Sequence, residues 1–257
     1  MKVCVYAICK NEEKFAARWM QSMREADAVY VLDTGSEDGT VAALRGLGAV
    51  VEQARIAPWR FDAARNKSLE LVPRDADICV CTDLDEVFTP GWRQALEAAW
   101  TPGTRQARYK YVWSFAEDGQ EQVVFFAEKI HARQGFRWVN PVHEVLRGEA
   151  PDAASVTVPG MQLNHHPDPQ KSRAQYLPLL ELAVREDPMN DRNTHYLGRE
   201  YLFRGQYQAC IDMLARHLAL PTAKWRDERC ASCRYMARAY AALGDRREQE
   251  ACLLRAL

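Results

Sequence analysis

The chain has no apolar run approaching the length of a membrane span. Its first apolar stretch, Met1-Lys-Val-Cys-Val-Tyr-Ala-Ile8, is too short for the hydrophobic region of a signal peptide with its cleavage site. A spanning or secreted protein is therefore not expected, and the 8 cysteines read as reduced thiols of a cytoplasmic protein. Cys4, Cys79 and Cys81 lie inside apolar patterns, where a thiol packs like any small core side chain. No second C-x-x-C and no H-x-x-x-H accompanies Cys230-Ala-Ser-Cys233, so that pair reads as structural and not as half of a zinc site. Net charge is nearly absent, −1 at pH 7, which argues against an affinity built on a global positive field while leaving room for a local basic patch. Lysine is scarce, 8 residues against 26 arginines, and this bias carries no functional weight.

A chain of 257 residues with 47% hydrophobic content can bury a sizeable core, as one large domain or as one domain plus an appendage. Two stretches set an apolar run against carboxylates. Ala28-Val-Tyr-Val-Leu-Asp33 leads into Thr-Gly35-Ser-Glu-Asp38-Gly39-Thr40, a glycine-bearing turn before a helical pattern. Asp77-Ile-Cys-Val-Cys-Thr-Asp83-Leu-Asp85-Glu86 ends in acids spaced i, i+2, which shares a side if strand geometry persists. Carboxylates at strand C-terminal ends lie where open α/β sheets bind ligands, the following helix start offers N–H groups to phosphate, and paired acidic oxygens suit a hard divalent cation on a diphosphate.

In chain order, residues 3–8 read as a first buried strand, and Asn11 as the N-cap of a helix reaching about Glu25, with Phe15, Trp19 and Met23 as its core stripe. Strand, helix and strand then alternate in the order of a parallel sheet with right-handed crossovers. Trp59-Arg-Phe-Asp-Ala-Ala-Arg65-Asn66 enters a further helix. Arg65 could form a forked pair with phosphate or carboxylate, although spacing alone favours a solvated surface arginine. Residues 107–115 and 122–133 alternate as an antiparallel hairpin, and 136–146 and 155–163 as further extended pieces. From residue 169 the period is helical. Leu197-Gly198-x-x-Tyr201-x-x-x-Gly205-x-Tyr207-x-x-Cys210-x-x-x-Leu214 follows a tetratricopeptide pattern that recurs from Met236, with Leu253 and Leu254 closing the last helix pair.

D-T-G-S-E-D-G-T from Asp33, W-R-F-D-A-A-R-N ending at Asn66, and D-L-D at Asp83 to Asp85, in that order, resemble a family 2 glycosyltransferase of the GT-A fold. Within it, the chain resembles the short subgroup with a tetratricopeptide-like C-terminal tail that includes bacterial peptide S-glycosyltransferases. The resemblance implies an α/β, Rossmann-like nucleotide-diphospho-sugar transferase domain over residues 1–168 and an all-α tail over 169–257. It implies an inverting enzyme that takes a UDP-sugar donor with Mn²⁺ or Mg²⁺. Asp33, Asp83, Asn11 and Arg65 would bind the donor nucleotide: Asp33 at the base or ribose, Asp83 at the ribose, and Arg65 at the diphosphate. Asp85 would hold the metal, completed by His165 or His143. Glu144 is the best candidate general base, its alternative being a salt bridge to Arg147 or Arg137, and Glu86 stands next.

The acceptor would be a peptide thiol or hydroxyl, a glycan, or a hydroxymethylated base in DNA. Fewer than three repeats rarely stand alone, so the tail should dock on the catalytic domain or pair with another copy as a homodimer. Two other classes compete. A nucleotidyltransferase would share the acidic pair, but no glycine- and lysine-rich phosphate loop lies near the N-terminus. A non-catalytic tetratricopeptide scaffold would not need the three donor-site motifs together.

Overall fold

In the computed structural model, which describes residues 1–150, 154–169 and 171–257, the first apolar run forms β1 (Val3–Cys9). Every residue of β1 up to Ala7 is buried, so both of its faces are covered. Val3, Val5 and Ala7 join one core with α1 (Glu13–Met23), while Cys4 and Tyr6 join a second on the opposite face. β2 (Ala28–Asp33), α2 (Thr40–Gly46), β3 (Val50–Gln53), α3 (Phe61–Glu70) and β4 (Ile78–Cys81) follow, and all four strands run parallel. The near-continuous apolar runs of β1 and β4 are what a two-sided parallel sheet demands.

β5 (Glu86–Phe88) and α4 (Trp92–Ala99) lead to the long hairpin β6 (Gln106–Phe115) and β7 (Glu121–Ala132). The strands β8 (Phe136–Val139) and β9 (Val145–Gly148) pair only with each other, and β10 (Ser155–His165) rejoins the main sheet. The order across that sheet is β3-β2-β1-β4-β7-β6-β10-β5. β4 and β5 are consecutive in sequence yet sit four strand positions apart. On a flat sheet that is about 19 Å. The link from Cys81 to Glu86 reaches about 18 Å only if fully extended, and it contains a turn closed by the Glu86 N–H on the Asp83 carbonyl. The sheet must therefore curl, and the curl carries the Asp83–Glu86 turn against β6, β7 and β10.

Three expectations need correction. Asn11 is not an N-cap: α1 starts at Glu13, and Asn11 has a positive φ of 55° with its side chain turned to the Glu37 N–H. The Glu13 N–H at the start of α1 is served by Asp38 instead. Strand geometry does not persist through Asp83 and Asp85, because β4 ends at Cys81 and the acids lie in a turn. Residues 136–146 are not one extended piece: the backbone turns at Asn140 and His143, both at positive φ, to make the β8–β9 pair.

The chain divides into two compact units, Met1–Lys171 and Ser172–Leu257. The second contains α5 (Tyr176–Glu186), α6 (Asp191–Phe203), α7 (Tyr207–Ala219), α8 (Arg226–Leu243) and α9 (Arg246–Arg255). Gly198 on α6 faces Leu214 on α7 so closely that a Cβ there would fall 2.4 Å from Leu214 Cδ2, which explains the small residue in the Leu-Gly motif. Leu253 and Leu254 are exposed, and Cys252 is the side chain that α9 buries. Among the described residues no helix is long and apolar enough to cross a membrane.

A buried polar chain ties the second core together. Trp138 Nε1 donates to the Tyr6 hydroxyl at 2.8 Å, Tyr6 lies 2.7 Å from His131 Nε2, and His131 Nδ1 lies 2.8 Å from the Ala132 carbonyl. With the proton on Nδ1, every donor in this chain has an acceptor, and the imidazole is neutral. Burial pushes His131 down to about 4. Below an unfolded value of about 6.5 the unfolded chain binds a proton that the fold refuses, so this contribution is lost as pH falls from about 6.5 towards 4. His131→Gln should therefore flatten the pH dependence of urea-denaturation stability in that window, by a slope approaching about 1.4 kcal/mol per pH unit. Parallel curves for the two proteins would show that His131 titrates normally in the fold.

Candidate active site

Asp33 ends β2 beside Cys9 of β1 and is completely buried. Gly35, at φ 111°, turns the chain back so that the Gly35 and Ser36 N–H groups reach the Asp33 carboxylate at 3.1 to 3.2 Å. The Ser36 hydroxyl and Gln53 Nε2 also donate to it. Burial would raise its pKa, but the Ser36 and Gln53 hydrogen bonds and the Gly35 amide hold it below the usual carboxylate range. With the Cys9 thiol, 3.6 Å from Oδ1, five donors meet this carboxylate and fill its capacity. Asn11 braces the same loop, its N–H on Ser36 Oγ and its Oδ1 accepting the Glu37 N–H, each at 2.8 Å.

On the other side of β1, Arg65 of α3 is almost wholly buried. Its Nε donates to Glu144 Oε1 at 2.8 Å, one terminal nitrogen to Asp83 Oδ1 at 2.7 Å, and its plane lies 5.3 Å from the Trp138 ring centre. α3 is held against β8 by Asn66, whose amide pairs with both the N–H and the carbonyl of Trp138. Asp83 has a second cation, Lys129 of β7, at 3.3 Å, and Lys129 also bonds Glu86 at 2.7 Å. Glu86 is locked further by the Tyr111 hydroxyl and the Asp83 N–H, both at 2.8 Å. Burial alone would raise the Asp83 pKa, but Arg65 and Lys129 hold its carboxyl far below the usual range.

Asp85 stands apart from these cations. Its Oδ2 faces His165 Nε2 at 3.6 Å. His165 Nδ1 lies 3.1 Å from the Trp113 carbonyl and its ring stacks on Trp113, with centroids 4.3 Å apart. With Nδ1 directed at the Trp113 carbonyl, Nε2 is the nitrogen that faces Asp85, the orientation that ligating histidines adopt; burial would lower the His165 pKa, but Asp85 raises it above the ordinary value. Two atoms bound to one ion at about 2.1 Å lie roughly 3.0–3.4 Å apart, so a small closure suffices for the pair to share a cation. His143 lies instead on the 140–144 loop beside Glu144.

The sequence model of the family described as "Glycosyl transferase family 2" matches residues 4–144. The chain belongs to this family. Among solved structures, the transferase is similar to S. aureus TarS 1-349, with 12% identity, a TM-score of 0.55, and coverage of 99% of this chain and 90% of that one. A longer TarS chain from the same organism gives 13% identity, a TM-score of 0.53 and coverage of 98% and 55%. Glucosyl-3-phosphoglycerate synthase from Mycobacterium tuberculosis, in complex with Mg²⁺ and uridine-diphosphate, gives 23% identity over 43% of each chain and a TM-score of 0.37. This chain thus spans just over half of the longer TarS chain, and its match to this structure of the synthase takes in less than half of that chain. The curled mixed sheet is the GT-A domain of a glycosyltransferase, which sets aside the nucleotidyltransferase and the non-catalytic scaffold.

The fold of this transferase brings Arg65, Asp83 and Glu144 into one contact set and Asp85 and His165 into another, while Asn11, from the loop after β1, braces the loop that follows Asp33 at the end of β2. Lys129, Tyr111 and Trp113 had no signal beyond strand alternation. Lys171, bonded to buried Glu12 and within electrostatic reach of Asp83 and Asp85, was likewise unmarked. Glu144 has Arg65 as its ion-pair partner, neither Arg147 nor Arg137. Removing one partner from a buried ion pair costs about 3–5 kcal/mol, whereas a surface phosphate ligand can usually be replaced within about 0.5 kcal/mol. Arg65→Met should lower the urea-denaturation stability of the ligand-free transferase by the larger amount. An unchanged midpoint would return Arg65 to a purely ligand-binding role.

Proposed function

We propose that the transferase moves a sugar from a UDP-sugar to a nucleophilic acceptor with inversion, using a divalent cation held by Asp85 and His165. The observation that carries this reading is the facing Asp85–His165 pair, which makes no ion pair with a lysine or arginine among the described residues, next to an Asp83 already neutralised by Arg65 and Lys129. A hard oxygen and an imidazole suit Mn²⁺, or Mg²⁺ with more of its shell supplied by the diphosphate and water. When bound, such an ion neutralises charge on the leaving diphosphate.

The chain's own groups divide the remaining work. Asp33 and Asn11 shape the loop so that its backbone receives the nucleotide; Asp83, fixed by two cations, presents its carboxylate at the ribose. Arg65 is consumed by Asp83 and Glu144, so Lys171 is the better-placed cation for the diphosphate. Glu144 is the base. Arg65 holds its Oε1, and Oε2 accepts no hydrogen bond among the described residues. Glu86 is excluded from that role by its contacts with Lys129, Tyr111 and the Asp83 N–H.

Incubation with UDP-sugars and Mn²⁺ should give slow donor hydrolysis that EDTA stops. Asp85→Asn should remove it with a loss worth several kcal/mol of transition-state stabilisation, while circular dichroism stays native. Activity insensitive to EDTA would overturn the metal assignment. With an acceptor found by mass-spectrometric screening of peptides, glycans and hydroxymethylated DNA, Glu144→Gln should cost about 10²–10⁴-fold in kcat at constant donor affinity. Retained turnover on a hydroxyl acceptor, or a product of retained anomeric configuration by NMR, would remove Glu144 as base.

A further inference from the structure

The C-terminal unit buries a second set of ligand-type side chains: His195 on α6, His217 on α7 and Glu228 on α8, none more than 8% exposed. One nitrogen from each imidazole and one carboxylate oxygen of Glu228 lie within 4.8 Å of one another. Ser232, one turn along α8 from Glu228, places its hydroxyl 2.7 Å from His195 Nδ1 and 2.9 Å from His217 Nδ1. His217 is thus anchored through Nδ1. Its Nε2 is fully buried and makes no hydrogen bond, yet stands 3.3 Å from Glu228 Oε1.

A chain of structural hydrogen bonds through Ser232 explains the two Nδ1 atoms but leaves that Nε2 with a carboxylate in ion-pair reach and no aligned hydrogen bond, a poor end for a polar atom sealed from water. A shared ion explains it. Two ligand atoms on a tetrahedral ion with bonds of about 2.0–2.1 Å are separated by about 3.3–3.4 Å. The oxygen that receives the second ring nitrogen of a ligating histidine is also in place, as Ser232.

We infer that His195, His217 and Glu228 bind one divalent cation of the zinc class, which clamps α6, α7 and α8 together, and that Ser232 is the positioning residue for the imidazoles. Two imidazoles and a carboxylate favour Zn²⁺ over Mg²⁺ or Ca²⁺, which prefer all-oxygen shells. The partial exposure of His195 and Glu228, against none for His217, gives the ion its side of entry.

The test uses the full chain carrying Asp85→Asn, so that the donor pair does not compete, stripped of metal and titrated with Zn²⁺ against a chromophoric chelator. One equivalent should bind, and melting temperature should rise with it. Glu228→Gln and His217→Ala should each lose that equivalent and the thermal shift, and Ser232→Ala should weaken binding by about 10–100-fold. Circular dichroism of the metal-free variants checks that they are folded; Glu228→Gln preserves side-chain volume and decides the matter if His217→Ala is not. The Co²⁺-loaded protein should show tetrahedral ligand-field bands without a thiolate charge-transfer band, assigning the ion to nitrogen and oxygen and not to the 8 cysteines. Failure to bind, equal binding by Glu228→Gln, or a thiolate band would each overturn the inference. Donor hydrolysis plays no part in these measurements, so the proposed transfer chemistry and this site stand or fall separately.

Discussion

A guanidinium held out of water must have its charge met by the fold, and Arg65 is the place where this transferase satisfies that demand. Its two anions come from parts of the chain far apart in sequence: Asp83 from the turn after β4, and Glu144 from the loop between β8 and β9. Neither can move away without leaving a buried charge exposed to a low-dielectric interior. The contact therefore fixes the distance between a residue of the donor motif and the candidate base. The Asn66–Trp138 pairing and the Trp138–Tyr6–His131 chain hold the same elements from beneath.

The arrangement also sorts the acids by availability. Asp83, Glu86 and Glu144 are met by Arg65 and Lys129, whereas Asp85, two residues from Asp83, makes its one ion-pair contact among the described residues with a histidine. Two carboxylates so close in sequence have opposite environments because the turn sends Asp83 towards α3 and β7 and Asp85 towards β10. A carboxylate with no lysine or arginine bonded to it is the one open to an external cation, which is why the proposed role of metal ligand falls on Asp85 and not on Asp83.

The strand tips and the helix order were legible because an apolar run ending in acids is a local signal, and β1 to β4 follow one another simply. Lys129 was not: on β7 it is one polar residue in an alternating strand, and it meets Asp83 only because β7 inserts beside β4 and the sheet curls. Asp33 was legible as a carboxylate at a strand's C-terminal end, but its burial was not. The positive φ of Gly35 folds the loop's own amides onto the carboxylate, which with Ser36, Gln53 and the Cys9 thiol gives it five donors from the protein itself. His165 and His143 were indistinguishable by spacing. Only the pairing of β10 with β5, which sets His165 opposite Glu86, separates them.

The two buried histidine chains make the last distinction. His131 and His217 are both completely inaccessible to solvent, and each is held through its neighbours' side chains. In the His131 chain one choice of tautomer satisfies every donor and acceptor, so the network needs nothing further and serves as a rigid spacer beneath Trp138 and Arg65. Among His195, His217, Ser232 and Glu228 the same procedure fails at one atom: with His217 Nδ1 engaged by Ser232, Nε2 faces a carboxylate oxygen at 3.3 Å, a separation that suits two ligands of one ion, but is not aligned for a hydrogen bond. On α6, α7 and α8 these residues read in sequence as ordinary polar positions, because a helical pattern shows which positions are small or apolar and is silent about where three polar ones converge. Full satisfaction marks the first histidine as structural; the second differs in having an unmet nitrogen that converges with a second imidazole and a carboxylate, and it is that convergence which carries the proposed ligand role.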